Sequence, residues 1–155
     1  MRGLVDDAET LRFTRVPQPP PDGFAEIWIA RYVDGRKDGS CEGFAIVDAD
    51  GTFLGLALAP AMALEPEWTA ELGYAVAEAA RGRGVASEAL RRLTDWAFAQ
   101  GILRAELIIS PDNEGSKRVA ERAGYTYEGT LRSKHFKQGR REDQEVWSRL
   151  PTDAV

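Results

Sequence analysis

The sequence predicts a mixed α/β sheet in which a glycine-rich loop joins a central strand to an amphipathic helix. Three observations within residues 70–99 carry this prediction. Glu71 to Val76 alternates as a half-buried strand does. Arg81-Gly82-Arg83-Gly84-Val85-Ala86 is a loop of mostly small residues. From Val85, apolar side chains recur at Ala86, Ala89, Leu90, Leu93, Trp96 and Ala97, which is helical spacing, and Gly101 supplies the stop.

The remaining elements follow in order. Met1 to Thr10 lacks periodicity and reads as a loose arm. Leu11 to Val16 reads as a short strand or extended lead-in, closed by Pro17, Pro19, Pro20 and Pro21. Asp22 is placed to cap a helix whose inward face is Phe24, Ile27, Trp28 and Tyr32, with Asp34 to Gly39 as its polar exit. Gly43 to Val47 and Thr52 to Leu58 form a hairpin about Asp48-Ala49-Asp50-Gly51. Ala59 to Thr69, with Pro60 and Pro66, is a connection. After the central helix comes a strand over Leu103 to Ser110, whose run Leu107-Ile108-Ile109 suits a buried position. A helix over Glu114 to Ala123 ends at Gly124. Tyr125 to Arg132 and Glu145 to Leu150 are the last two strands, separated by a basic loop with Lys134, Lys137, Arg140 and Arg141.

Composition sets outer limits. The 155 residues suit one domain, 1–155, with a sizeable core. The longest apolar stretch, Leu54 to Leu64, is broken by Gly55 and Pro60, far short of a membrane span. The acidic N-terminus lacks the apolar centre of a secretion signal. Cys41 is the one cysteine, so no internal disulfide or thiolate cluster can form, and a cytoplasmic setting is expected. The net charge of −5 lacks the basic footprint that general nucleic-acid binding requires. The charge is uneven, and the basic half of the chain is the one that holds the glycine loop.

A helix N-terminus carries unpaired N–H groups and partial positive charge, and glycines before it let an anion reach the backbone. Arg81 and Arg83 add full charges at the rim. The loop therefore reads as an anion site, suited to a diphosphate. A P-loop would need Lys-Ser/Thr where Val85-Ala86 stand. A dinucleotide fingerprint would need three glycines directly after the strand, whereas Ala77 to Ala80 intervene. Glu106 lies at a spacing that keeps a ribose contact, and hence dinucleotide binding, as an alternative.

The pattern Arg81-x-x-Gly84-x-Ala86 resembles the acetyl-coenzyme A loop of the GNAT N-acetyltransferases. With Glu71-Leu72-Gly73-Tyr74, Asn113-x-x-Ser116 and Gly124-Tyr125, the chain from Thr10 to about Leu150 is similar to their Rim-type branch, the ribosomal-protein N-terminal acetyltransferases. The resemblance implies the GNAT fold, in which two parallel neighbours, here Glu71–Val76 and Leu103–Ser110, splay apart and admit coenzyme A. It implies acetyl transfer from acetyl-CoA to an amine, with no metal. Cofactor contacts fall on Val76, Arg81, Gly82, Arg83, Gly84, Val85, Ala86, Asn113 and Ser116. The chain departs from the family by lacking the usual first strand, which leaves a sheet edge open and predicts either a homodimer or a disordered, aggregation-prone edge.

The catalytic residues expected from this resemblance are Glu71 and Ser116. Glu71 is a base, directly or through water, or an anion that binds the ammonium. An α-amine, with a pKa near ~8, needs less help than a lysine near ~10.4. Ser116 either hydrogen-bonds the thioester sulfur or serves its helix start, and Asn113 either contacts the ligand or caps the helix. Many relatives carry a tyrosine where Ala120 stands, so the usual acid is absent. That absence keeps a non-catalytic acyl-CoA sensor as the alternative function. His135 has no metal partners in sequence, Cys41 reads as a small buried hydrophobe, and Trp28, Trp96 and Trp147 read as core. Trp68 and Tyr74 flank the central strand as pocket lining or packing.

Overall fold

The computed structural model describes residues 2–153. Helices α1 (Arg2–Val5), α2 (Ala8–Phe13) and α3 (Phe24–Asp38) precede strands β1 (Glu42–Val47), β2 (Phe53–Ala63) and β3 (Thr69–Val76). A single 3-10 turn and the glycine loop lead to α4 (Val85–Ala99), then β4 (Arg104–Ile109), α5 (Glu114–Arg122), β5 (Thr126–Lys137) and β6 (Arg140–Arg149). The strands form one mixed sheet in the order β1-β2-β3-β4-β6-β5.

The predicted mixed α/β architecture is present, and β3 and β4 are the parallel central pair. They pair at Thr69/Arg104, Ala70/Ala105 and Glu71/Glu106, and there the pairing stops. Beyond that point β3 stays with β2 as far as Val76/Gly55, while β4 stays with β6 as far as Ile109/Glu145. Each strand is held by its outer neighbour, so the two part like a wedge. Gly55 permits this, because a side chain there would run into the Ala75 carbonyl at the end of β3.

The core lies between the sheet and the two later helices. Leu90, Leu93 and Ala97 of α4 meet Ala70 and Leu72 of β3 and Ala105, Leu107 and Ile109 of β4. Strand alternation sends Ala70, Leu72, Tyr74 and Val76 to that face and Glu71, Gly73 and Ala75 to the other. Helix α3 covers the other face, its Tyr32 ring lying against Gly43.

Several boundaries differ from expectation for identifiable reasons. The segment read as a loose arm is ordered over the described part, 2–10; Met1 lies outside the described residues. Leu4 is buried, and the Asp7 carboxylate caps α2 by accepting from the Thr10 N–H at 2.7 Å. Leu11 to Phe13 end that helix rather than forming a strand. Helix α3 starts after Gly23, not Asp22, and continues through the expected polar exit to Asp38. Its inward line is Ala25, Trp28, Tyr32 and Gly35, which leaves Ile27 exposed. Strand β2 passes through Pro60 instead of ending at Leu58, since a register shift between Leu58 and Ala61 accommodates the missing N–H. The expected basic loop is a continuation of the last hairpin. Gln138 and Gly139, with φ of 49° and 78°, make its two-residue turn.

Candidate functional site

The open end of the wedge faces the glycine loop. Gly82 and Gly84 have φ of +72° and +79°, and a Cβ on either would meet no protein atom. Gly84 is the N-cap of α4, and no side chain caps that helix. The first bond of its helical ladder runs from the Glu88 N–H to the Gly84 carbonyl at 3.1 Å. The N–H groups of Val85, Ala86 and Ser87 therefore precede the ladder and point out along the helix axis, where the dipole favours an anion. Arg83 is exposed beside them.

Arg81 is placed differently from the expected rim charge. Its guanidinium pairs with Asp7 at 2.5 Å and Glu9 at 3.0 Å, and its Nε donates to the Val76 carbonyl at 3.2 Å. It ties α2 to the end of β3. The Arg81 guanidinium in turn holds the Asp7 carboxyl at about 2, below its usual value of 3.8. Val76 itself is buried where β3 ends.

Asn113 and Ser116 stand on the β4 side of the wedge. Asn113 caps α5, its Oδ1 accepting from the Ser116 N–H at 3.0 Å. The Ser116 hydroxyl is not the cap. Its Oγ accepts from the Tyr74 hydroxyl of β3 at 3.1 Å. This bond links the two walls beyond the last β3–β4 pair. Burial pushes the Tyr74 phenol up to about 12, so it remains a donor across ordinary pH.

Glu71 belongs to the last residue pair before the strands part, and it projects from the face opposite Tyr74. Its carboxylate is 2.8 Å from the Arg15 guanidinium, with the glutamate 24% and the arginine 59% exposed. Sequence reading missed this partner, as it missed the rest of the segment that carries it. The Lys137 ammonium, at the tip of the β5–β6 hairpin, donates to the carbonyls of Leu11 at 2.5 Å, Arg12 at 3.1 Å and Thr14 at 2.5 Å. Gln138 donates to Gln18 nearby. These partners lie 56 to 126 residues apart in the chain, a separation at which no local pattern announces a contact.

The other sequence candidates fall away from the wedge. Trp68 precedes β3 at the closed end and lies against Gly101, so it does not line the mouth. Cys41 is buried, as expected. Trp147 is in the core, Trp96 packs edge-on against Phe44 with centroids 5.1 Å apart, and Trp28 meets Tyr32 at 5.3 Å. His135 lies on β5, where burial, and then Arg15 and Lys137, lower its pKa. Among the described residues no cluster of three or more His, Cys, Asp or Glu could hold a metal, and no helix is long and apolar enough to cross a membrane.

Comparison with known proteins gives a consistent family. The sequence profile of the acetyltransferase (GNAT) domain matches residues 2–126. A probable N-acetyltransferase of Bacillus subtilis, YjcK, is 40% identical over 86 residues, 55% of this chain and 48% of the relative. The ribosomal-protein-serine acetyltransferase of Escherichia coli is 35% identical over 83 residues, 53% of this chain and 46% of that protein. The chain thus spans about half the length of these curated relatives. The solved structure of Mycobacterium smegmatis RimJ in complex with CoA-disulfide superposes with a TM-score of 0.77 at 25% identity, covering 83% of this chain and 61% of that one.

Proposed function

The chain belongs to the GNAT acetyltransferase family, and from that premise we propose that it transfers an acetyl group from acetyl-coenzyme A to an amine. One observation carries the reading: parallel strands that part after Glu71/Glu106 and open toward an uncapped helix N-terminus. The residues present fit the cofactor. Gly82, Gly84 and the N–H groups of Val85 and Ala86 would hold its diphosphate, with Arg83 at the rim. The strand end at Val76 would line the thioester arm, and Asn113 and Ser116 would form the opposite wall. Bound there, acetyl-CoA supplies an activated acyl carbon.

Two faces of the sheet divide the remaining tasks. Glu71 lies on the face that carries Arg15 and α3, where it binds the incoming ammonium or takes its proton. Ser116 lies on the helix side, where it would donate to the sulfur as it leaves. Backbone N–H groups along the parted edge of β3 are fixed donors, which stabilise a developing oxyanion at little reorganisation cost. The acceptor we favour is a protein α-amine, supported by similarity to the E. coli ribosomal-protein-serine acetyltransferase. Dependence on acetyl-CoA supports a cytoplasmic setting. The outer edge of β1, with Val47 exposed beside it, supports a homodimer through strand pairing, which light scattering would test.

The deciding experiment is thermal unfolding with acetyl-CoA, with nicotinamide dinucleotide as control. At a hundred times its dissociation constant a ligand adds about 2.7 kcal/mol. A raised midpoint with acetyl-CoA alone, followed by amine-dependent thiol release, is the expected result. A shift with the dinucleotide alone would replace this reading with the dinucleotide alternative.

A further inference from the structure

Two tyrosines in this fold bond to a hydroxyl residue of a helix, and they do so differently. Tyr125 meets Thr94 of α4 at 2.7 Å, and the Thr94 hydroxyl donates to the Leu90 carbonyl of its own helix at 2.8 Å. The threonine proton is spent inside the core, and the pair is fully buried structure. Tyr74 meets Ser116 of α5 at 3.1 Å with the phenol as donor. Among the described hydrogen bonds the Ser116 hydroxyl donates to nothing: its own N–H is taken by Asn113, and no carbonyl of α5 receives its proton. The first pair closes on itself, whereas the second leaves one proton to offer at the parting of β3 and β4.

We propose that Tyr74 is a positioning residue: by donating across the wedge to Ser116 Oγ, it fixes the serine rotamer so that the serine O–H serves the departing sulfur. The proposal rests on the acetyl-CoA reading above. A free serine samples three staggered rotamers, and a hydroxyl near a helix start readily turns back to a backbone carbonyl. The phenol occupies one acceptor lobe of Oγ and holds it toward β3. As the amine nitrogen bonds to the acyl carbon and the C–S bond breaks, the electron pair stays on sulfur. The proton lost by the amine goes to solvent on the Glu71 side, and the serine O–H stabilises the thiolate by hydrogen bonding without being transferred. Tyr74 keeps its own proton throughout, consistent with its burial.

The test reads the thiol pKa of bound coenzyme A, followed by ultraviolet absorbance of the thiolate against pH, alongside kinetics. A serine donor at sulfur should hold the bound thiol below an ordinary thiol value near ~8.5. Tyr74→Phe, which keeps the ring, should raise the bound thiol pKa by about half a unit, since a loosened donor lowers thiolate stabilisation only partly. It should lower kcat several-fold with KM for acetyl-CoA unchanged. Ser116→Ala should raise the thiol pKa further, and the double variant should match Ser116→Ala alone. Tyr125→Phe should leave the thiol pKa at the wild-type value. A Tyr74→Phe protein whose thiol pKa stays at the wild-type value, while Ser116→Ala moves it, overturns the proposal and leaves the acetyl-CoA reading intact. So does a double variant whose shifts simply add. A Ser116→Ala protein with a wild-type thiol pKa removes both residues from the chemistry. A wild-type protein that binds no coenzyme A brings down the underlying reading, and the proposal with it.

Discussion

The core face of the sheet and the N-terminal segment are held by different forces. Under α4 and α5, close-packed apolar side chains do the work: Leu90 and Ala97 are wholly buried against β3 and β4. Residues 7–18 bury Val16 and Thr10 but are held largely by polar links: Asp7 and Glu9 to Arg81, Arg15 to Glu71, and three carbonyls to Lys137. Apolar burial is non-directional and contributes a large share of stability. Ion pairs that keep part of their surface in solvent contribute little net energy but fix geometry. The α4–α5 face therefore supplies the main apolar core, and the polar links of residues 7–18 set how the wedge is flanked.

Variants in each should separate these roles. The largest effect is expected at Leu90→Ala, where deleting a wholly buried side chain should cost about 3 kcal/mol in denaturant unfolding. A loss under ~1 kcal/mol would mean that this face is not the dominant support. Gly84→Val comes next. A β-branched residue at φ of +79° costs about 1–2 kcal/mol of backbone strain and crowds the approach to α4. Acetyl-CoA affinity should fall by two orders of magnitude or more, about 3 kcal/mol. Calorimetric titration at wild-type affinity would remove the loop from the site.

Asp7→Asn should have a smaller effect, about 1 kcal/mol, because the Asp7–Arg81 pair is only partly buried. Its pH dependence has a definite sign. The folded carboxyl titrates at about 2, below the ordinary 3.8, so its stabilisation is complete above pH 3.8 and fades as pH falls through about 2. The variant should lose that acid-limb slope in urea melts between those two values. Arg15→Ala should matter least for stability, within about 0.5 kcal/mol, since the arginine is mostly exposed. Its consequence should appear at the acceptor instead: releasing Glu71 from its internal cation should lower KM for a cationic amine a few-fold. A raised KM would show that Arg15 helps to bind the acceptor.

Legibility followed the same division. The run from Ala86 to Ala97 stated its own helix, and the alternation of β3 stated its own strand. The glycine loop was readable because only glycine takes φ of +72° and +79° without strain. Pro60 misled because a strand was expected to end near it, and only the pairing of β2 with β3 shows the register shift that absorbs it. The N-terminal segment misled because a six-residue helix has too little periodicity to announce itself, and its stabilising partners lie on other elements. Asn113 was readable as a ligand contact or a cap; its Oδ1 caps α5, a role that does not bear on the proposed ligand contact. Tyr74 was readable only as lining or packing, because its partner Ser116 is 42 residues away.

The sequence by itself determined the order of strands and helices from α3 onward, the apolar stripe of α4, the anion-suited glycine loop and the family resemblance. Each of these depends on neighbours within a few residues, where φ/ψ preference and side-chain periodicity act. The family resemblance implied that β3 and β4 part, but tertiary structure alone decided where, after Glu71/Glu106, because that depends on competition between outer and inner strand neighbours. It also decided that Arg81 serves Asp7 and Glu9, that Arg15 faces Glu71, and that Tyr74 reaches Ser116. Those are contacts between groups remote in the chain, and only the packed fold brings such charges and hydroxyls within bonding distance.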